Sequence, residues 1–362
     1  MISIIMPVYN IKVRKQTRAV KQCLRSIQQQ TCTDWELLIA DGGCTDGTMS
    51  IMHEMCKQDK RMNILPEKHY GQDAARKYAM HHIKGKYLTF IDQDDILKKN
   101  ALEIMLRAIE EDEADVVQTE SVRFAFCKCF KTGKSSHESG IMDKRHVIDH
   151  DTFMEKHYQS FFGVNDLPVQ VWAKLYRTEA LPCECFSPSP VDGLEDLIFN
   201  MYALPYAKRI SIVPDTLHYW RLGGTTSRFQ PAFLKRYVTS YKLKKQQIAR
   251  LHLPFEYLHT TAIELVNTGV CNLKSQVAFA PPSDETLRAS IKYALEIPEM
   301  QEAISIVRKE NKYHSALADV FLLHADDMDR MAAEIRKLAK EPLWKRLARK
   351  SFNAMQHIYD AL

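Results

Sequence analysis

Four short apolar runs alternate with helix-length segments over the first hundred residues, and this alternation restricts the chain to few folds. The apolar runs are Ile2 to Met6, Trp35 to Ala40, Met62 to Leu65 and Tyr87 to Ile91. Helices are predicted between them, from about Thr17 to Gln30, Gly47 to Lys60 and Gln72 to Ile83. Strands separated by single helices form right-handed βαβ units, so the pattern predicts a largely parallel sheet. The carboxyl ends of all four strands should then lie at one edge.

Beyond Asn100 the pattern becomes irregular. It predicts a helix to about Glu111, a polar loop over 131–140, and strands over Asp115 to Glu120, Val122 to Phe130, Val169 to Tyr176, Arg209 to Val213 and Leu217 to Arg221. From Pro231 onward the sequence predicts only helices, with breaks near Pro254, Pro281, Pro282, Pro298 and Pro342. We therefore predict an α/β domain over 1–230, with halves 1–100 and 101–230, and a helical region over 231–362.

Composition excludes several classes of protein. The 50 basic residues exceed the 45 acidic ones by too little to indicate a nucleic-acid partner. Nine cysteines without framework spacing indicate reduced thiols. The first ten residues, MISIIMPVYN, do not resemble a signal peptide, and no apolar run is long enough to span a bilayer. We expect a cytoplasmic protein.

Three carboxylates follow the last apolar run of the first hundred residues. Asp92, Asp94 and Asp95 occupy three of four consecutive positions directly after Phe90 and Ile91. Like charges this close disfavour ionisation, and a divalent cation would offset the repulsion. Mg²⁺ is commonly held by one or two carboxylates, with substrate phosphates completing its coordination. The alternative is that Asp94 and Asp95 cap the helix that begins near Lys98.

Three further motifs stand near the predicted strand ends. Met6-Pro7-Val8-Tyr9-Asn10 turns polar after the first strand, and Asp41-Gly42-Gly43 follows the second. The third motif, Gly71-Gln72-Asp73-Ala74-Ala75-Arg76, places an arginine one turn into a helix, where it could pair with a phosphate or an aspartate. None of them is a dinucleotide fingerprint or a phosphate-binding P-loop.

A second acidic motif lies about a hundred residues after the first. Glu195 and Asp196 stand at the start of an apolar helix, where the helix dipole favours their ionised form. Local sequence alone favours helix capping for this pair.

The four motifs of the first hundred residues together resemble the family 2 glycosyltransferases, which are nucleotide-sugar enzymes of GT-A fold. They agree with that family in order and spacing over about residues 1–100, and more loosely to about residue 228. The chain departs from the family pattern in having Cys44 where Ser is usual, Gly42 where a second Asp is common, and Lys77 where Asn usually follows the arginine. These departures affect the expected contacts to the base and the ribose of the nucleotide.

The resemblance implies a role for each matching residue. Nucleotide binding would involve Pro7, Val8, Asn10, Asp41, Arg76, Asp92 and Arg221. A Mn²⁺ or Mg²⁺ cofactor would be held by Asp94 and Asp92, within reach of His218, while Asp95 supports them. The catalytic base would be Asp196, with Glu195 as the second candidate. The acceptor would contact Trp172 and Lys174, although a core position is the alternative for Trp172.

The function implied is inverting transfer of a sugar from a nucleoside-diphosphate donor, a UDP-sugar, to a hydroxyl of a glycan or lipid-linked glycan. The resemblance also implies a setting in bacterial surface-polysaccharide assembly, such as capsule or lipopolysaccharide. Two alternatives are a noncatalytic nucleotide-sugar-binding or assembly subunit and a sugar nucleotidyltransferase. The nucleotidyltransferase alternative lacks support because no glycine-rich, arginine-containing loop follows the first strand.

The last segment, 343–362, combines an apolar helical stripe with flanking basic residues. Trp344, Leu347 and Phe352 belong to the stripe, and Lys345 and Arg346 flank it. This pattern is typical of a helix at an anionic membrane surface, here the cytoplasmic face of the inner membrane, and equally of a terminal helix docked on its own domain.

Overall fold

The fold is described from a computed structural model of the chain. It describes residues 1–69, 71–125, 130–134, 140–164, 166–187, 189, 191, 193–221, 232–310, 317–323 and 327–340. These residues form two compact units, one containing 1–161 and 166–221, the other containing 162–164 and 232–340. The segment 343–362, residues 222–231 and the centre of the predicted polar loop, 135–139, lie outside the described residues.

The first unit begins with the predicted alternation of strands and helices. The strands are β1 (Ile2–Val8), β2 (Trp35–Asp41), β3 (Met62–Lys68) and β4 (Tyr87–Phe90), and the helices between them are α1 (Thr17–Gln28), α2 (Thr48–Cys56) and α3 (Gln72–Met80). The four strands pair in parallel in the order β3-β2-β1-β4, so their carboxyl ends share one edge. The predicted mostly parallel α/β fold is confirmed.

The second half of this unit widens the sheet to ten strands. It contains β5 (Ile96–Leu97), α4 (Ala101–Glu111), β6 (Val116–Ala125), β7 (Phe130–Lys134), β8 (His146–Asp149), α5 (His150–Thr152), β9 (Lys174–Arg177), α6 (Glu195–Ala203) and β10 (Arg209–Arg221). The antiparallel strand β9 lies between β4 and β6, and β6 pairs in parallel with β10. Both β5 and β8 pair antiparallel with β10.

Several predicted boundaries in this half are wrong for identifiable reasons. A single strand, β6, spans the predicted break at Ser121, and β7 extends into the predicted polar loop. Strand β9 starts only at Lys174 because Ala173 has a φ of +58°, which interrupts an extended run. The two strands predicted around Pro214 are one strand, β10, whose register shifts between Val213 and Thr216 because proline has no backbone donor.

The core of the first unit lies on both faces of β1. Every residue of β1 is buried, and α1 packs Val20, Leu24 and Ile27 against the sheet. Full burial of an aliphatic side chain of this size contributes about 1.5–3 kcal/mol. A parallel strand covered on two sides is therefore continuously apolar, as the sequence of β1 is.

The second unit is helical, as predicted for this part of the chain. Its helices are α7 (Phe233–Arg250), α8 (Phe255–Phe279), α9 (Asp284–Glu296), α10 (Pro298–Glu310), α11 (Ala318–Leu323) and α12 (Met328–Ala339). Helix α8 packs closely at Gly269, where an added Cβ would lie 2.7 Å from Met300 Cε and 2.9 Å from Phe321 Cε2. No helix in the described part of the chain is both long and apolar enough to cross a bilayer.

Candidate active site

The loops after β1 and β2 hold each other at the carboxyl edge of the sheet. Asn10, at φ +45°, accepts a hydrogen bond from Thr45 N at 2.8 Å, and Asp41 Oδ1 accepts from Gly43 N and Cys44 N at 2.9 and 2.7 Å. Gly42 approaches so closely that an added Cβ would lie 3.2 Å from Val8 O. The predicted nucleotide-binding residues of this edge are thus brought together.

The structure places Pro7 and Val8 inside the first strand, whereas the sequence predicted that this strand stops at Met6. Both belong to β1, and both side chains are buried. Only their backbone groups are therefore available to a ligand. Asn10 and Asp41 keep partial exposure of their side chains.

The turn after β4 places the three aspartates in different environments. Asp95 is fully buried, and its oxygens accept from His218 Nε2 at 2.8 Å and Arg221 N at 2.9 Å. Asp94 is partly exposed and accepts from Gln16 Nε2 at 3.0 Å. Helix α4 begins only at Ala101, so the alternative in which Asp94 and Asp95 cap that helix is wrong. Asp95 instead anchors the turn to β10.

The charge on Asp94 is poorly compensated. Burial, and then the nearby charges of Asp95 and Asp92, raise the pKa of Asp94 to about 7. The pKa of Asp95 is also well above its usual value, mainly because of burial. A cation beside these carboxylates would favour their ionised form.

A metal ion fits this turn only if its coordination is completed by something other than protein. Carboxylate oxygens suit Mg²⁺ and Mn²⁺, and the pKa of Asp94 stays raised although the charge of Arg221 lowers it. Within the described ranges, no group of three His, Cys, Asp or Glu side chains forms a site that could hold a metal ion alone. The donor set therefore fits an ion shared with substrate phosphates, which is common for Mg²⁺.

His218 and Trp172 form a buried stack beneath the turn. The ring centroids are 4.7 Å apart with an interplanar angle of 15°. Burial lowers the pKa of His218 to about 4, so the ring is neutral at physiological pH and its Nε2–H donates to Asp95. The predicted metal role of His218 and acceptor role of Trp172 remain predictions, and in this structure both residues support Asp95.

Lys174 and Arg221, two predicted ligand-binding residues, are also buried. Lys174 Nζ donates to the carbonyls of Pro168, at 2.8 Å, and Gln170, and burial lowers its pKa to about 7. Arg221 donates through Nε to Asp94 O at 2.8 Å and through Nη2 to Gln22. Their roles in binding an acceptor and a nucleotide remain predictions.

Arg76 joins the two acidic motifs. Its Nη2 donates to Asp92 Oδ1 at 2.7 Å and its Nη1 to Asp196 Oδ1 at 2.5 Å. The guanidinium is 4% exposed, and although burial opposes its charge, the carboxylates of Asp196 and Asp92 raise its pKa overall. Carboxylates from the end of β4 and the start of α6 thus share one cation.

Glu195 and Asp196 differ in exposure, although they are adjacent. Glu195 is 8% exposed, and its Oε2 has no hydrogen-bond partner among the described residues. Burial and then the charge of Asp196 raise the pKa of Glu195 to about 7. The side chain of Asp196 is 25% exposed. Neither side chain caps α6, so the capping interpretation is wrong.

Several contributors to this site are glutamine or asparagine residues that sequence reasoning missed. Gln93 binds both backbone groups of Tyr9, Gln72 Nε2 donates to Asp92 Oδ1 at 2.8 Å, and Asn200 Nδ2 donates to Asp196 O. Gln72 lies in the Gly71-Gln72-Asp73 motif, which was the only available signal for it. Gln93 and Asn200 carry no such signal, because partners such as Tyr9, Gln16 and Tyr176 lie far from them in sequence.

Comparison with known proteins agrees with the resemblance seen in the motifs. Residues 3–163 match the family model described as Glycosyl transferase family 2. This match assigns residues 3–163 to a family 2 glycosyltransferase domain. The predicted family and enzyme class are confirmed, and the matched residues include Asn10, Asp41, Arg76 and the three aspartates that follow β4.

Curated relatives share limited identity with this chain. The putative glycosyltransferase EpsH of Bacillus subtilis is 24% identical over 67% of this chain and 67% of its own length. Glycosyltransferase GlyA of Streptococcus pneumoniae is 21% identical over 93% of this chain, which spans 49% of GlyA. A Campylobacter jejuni relative is named GalNAc(5)-diNAcBac-PP-undecaprenol beta-1,3-glucosyltransferase, and it is 27% identical over 45% of this chain and 50% of its own length.

A solved structure has a similar fold. The crystal structure of S. aureus TarS 1-349 in complex with UDP-GlcNAc is 19% identical, covers 97% of this chain and 92% of that chain, and has a TM-score of 0.65. At this identity the likeness establishes the fold alone. The predicted GT-A architecture with C-terminal helices is thereby confirmed.

Proposed function

We propose that this glycosyltransferase moves a sugar, with inversion, from a nucleoside-diphosphate donor to a hydroxyl of a glycan or lipid-linked glycan. The observation that carries the proposal is the double ion pair of Arg76 with Asp92 and Asp196. Arg76 joins Asp92, which is suited to the donor side, with Asp196, which is suited to act as a base. A noncatalytic sugar-nucleotide binder would need only Asp92.

The donor nucleotide would occupy the carboxyl edge of β1, β2 and β4. Pro7 and Val8 would contribute backbone groups, while Asn10 and Asp41 would contribute side chains, since only the latter two side chains are partly exposed. Ligands of open α/β sheets bind at this edge. Asp92 would face the ribose or a metal ion, and Arg76 and Arg221 would hold the acidic side chains around the diphosphate in place.

A Mn²⁺ or Mg²⁺ ion would be held by Asp94, with Asp92 sharing it. When bound, this cation would offset the negative charge that develops on the departing diphosphate. The raised pKa of Asp94, to about 7, supports this assignment because an adjacent cation would restore its ionised form. The pairing of His218 Nε2 with Asp95 gives His218 a structural role in this proposal.

The reaction would be a direct displacement at the anomeric carbon. Asp196 accepts the proton of the acceptor hydroxyl while that oxygen forms its bond to the anomeric carbon. The bond from that carbon to the diphosphate breaks, and the electron pair leaves with the nucleoside diphosphate. Because attack and departure occur on opposite faces, configuration inverts. Asp196 suits this role better than Glu195 because it is partly exposed, whereas burial raises the pKa of Glu195 to about 7.

Two relatives suggest the classes of donor and acceptor. TarS is described in complex with UDP-GlcNAc and with UDP, which favours a UDP-sugar here. The Campylobacter relative is named for a lipid-linked glycan, which favours an acceptor of that class in surface-polysaccharide assembly. We further propose that 1–230 is the catalytic domain, that 231–362 is an accessory helical region, and that the protein works at the cytoplasmic membrane face.

A donor panel tests this proposal. Purified full-length protein is mixed with UDP-, GDP- and dTDP-sugars, with Mn²⁺, Mg²⁺ or EDTA, and released nucleoside diphosphate is measured with and without lipid-linked acceptors. We expect release with a UDP-sugar and either metal, no release in EDTA, and a product anomer opposite to that of the donor by NMR. Donor binding without turnover for any donor and acceptor would contradict the enzymatic function.

A further inference from the structure

The guanidinium of Arg76 donates hydrogen bonds to two carboxylates through different nitrogens. Arg76 lies on α3, its Nη1 reaches Asp196 Oδ1 at 2.5 Å, and its Nη2 reaches Asp92 Oδ1 at 2.7 Å. Because the two nitrogens are different, both pairs exist at the same time. The guanidinium is 4% exposed, so water contributes little to its solvation and the carboxylates supply its charge partners.

The second oxygen of Asp196 has a different environment from the first. Oδ1 is held by Arg76, whereas no described residue donates a hydrogen bond to Oδ2, and the side chain keeps a quarter of its exposure. A carboxylate fixed through one oxygen presents the other in a defined direction. This arrangement is that of a base oriented by a third group, as in other catalytic sites.

We propose that Arg76 is the positioning residue for the base, holding Asp196 by one oxygen so that the other faces the acceptor, and anchoring this arrangement on Asp92. This inference rests on the proposed function, since it assigns the base role to Asp196. It adds to the sequence prediction that Arg76 contacts the nucleotide, because in the described geometry Nη1 and Nη2 each donate to a carboxylate.

Losing Arg76 would have a measurable effect. Asp196 and Asp92 would no longer share a cation, and the hydrogen bond that orients Asp196 would be absent. Other charged and titratable groups also face the pair, and their effects have to be held constant in any test. They are Asp73 and Lys77 on α3, Asp92, Glu195 on α6, and Lys174 and Tyr176 on β9.

The test compares kcat and the donor KM of sugar transfer for three variants of the full chain. Arg76→Met removes the charge and both hydrogen bonds, while Arg76→Lys keeps the charge. Arg177→Met is the matched control, because Arg177 is a half-buried arginine of the same unit that contacts Ala114 O and Asp115 instead. Folding of each variant is checked by circular dichroism and thermal unfolding.

We expect kcat to fall by about 10²-fold in Arg76→Met with the donor KM changed less than about 3-fold, because the base loses the group that orients it. Arg177→Met should change both values by less than about 3-fold. An unchanged kcat in folded Arg76→Met, or an equal fall of kcat in the control, would overturn the proposal.

If Arg76→Met does not fold, Arg76→Lys decides through the split between kcat and the donor KM. A point charge cannot hold two carboxylates in the fork geometry of arginine. We therefore expect kcat to fall at least 10-fold with donor KM changed less than 3-fold, whereas unchanged kcat would overturn the proposal. Absence of transfer by wild type itself contradicts the proposed function and is thus distinguishable from failure of the Arg76 inference.

Discussion

Replacing Asp94 by asparagine should stabilise the protein in metal-free buffer while removing its proposed cofactor site. In the folded state burial and the charges of Asp95 and Asp92 raise the pKa of Asp94 from 3.8 to about 7. The ionised carboxylate is therefore less favourable in the folded than in the unfolded chain. Asparagine is neutral and keeps an oxygen that can accept from Gln16, as Asp94 does at 3.0 Å.

The magnitude follows from the difference between the two pKa values. A difference of about three pKa units at about 1.36 kcal/mol each sets an upper bound of about 4 kcal/mol. Because Asp94 is partly exposed, solvent screening reduces the expected gain to about 2 kcal/mol. A gain of this size corresponds to about 4–8 °C in melting temperature for a unit of about 200 residues.

The sign of the effect depends on pH. A carboxyl whose folded pKa is raised destabilises the fold progressively as pH rises from its unfolded value, near 3.8, to its folded value, near 7. Asp94→Asn should therefore melt higher than wild type at pH 8 in EDTA, and the difference should vanish near pH 4. The exposed Asp215, which pairs with Lys98 at 3.7 Å, provides the control Asp215→Asn, for which we expect a change below about 0.5 kcal/mol.

The assay is thermal unfolding at pH 4, 6 and 8, followed by calorimetry of UDP binding with and without Mn²⁺. Asp94→Asn should lose metal-dependent UDP binding although it is the more stable protein without metal. A variant that melts at or below wild type at pH 8, or whose gain persists at pH 4, would refute the reasoning from the buried charge.

Two further predictions concern the edge of the sheet opposite the site and the C-terminal segment. Gly85→Ala should lower the free energy of unfolding by about 1–3 kcal/mol in urea titrations, because the added Cβ would lie 2.6 Å from Ser3 N, and an unchanged urea midpoint would contradict this. Deleting 343–362 should weaken binding to anionic vesicles in sedimentation assays if the segment is an interfacial helix, whereas unchanged partitioning favours a helix docked on its own domain.

The first hundred residues were readable from sequence because their signals are local. Each strand from Ile2 to Phe90 is a short apolar run, and parallel pairing follows from the helices between the strands. The placement of Asp41 and Asp92 at one edge follows from that topology. Such features need no knowledge of distant contacts.

The second half was less predictable because long-range contacts determine it. The positive φ of Ala173 delays β9, and no sequence signal marks an alanine for that conformation. The role of Asp95 depends on His218, 123 residues away in sequence, and the role of Arg76 depends on Asp196, 120 residues away. Local sequence left a helix cap open for Asp95 and favoured one for Asp196, and only the tertiary structure excludes them.

The most direct test of the account is to measure donor binding and sugar transfer on the same preparation of Asp196→Asn. Asp196 contacts Arg76 and is not among the residues proposed to bind the donor, so we expect UDP affinity within about 3-fold of wild type. General-base catalysis contributes about 10²–10⁴-fold to rate, so transfer to the acceptor should fall by at least 10²-fold. Undiminished transfer with intact donor binding would contradict the assignment of Asp196 as the base.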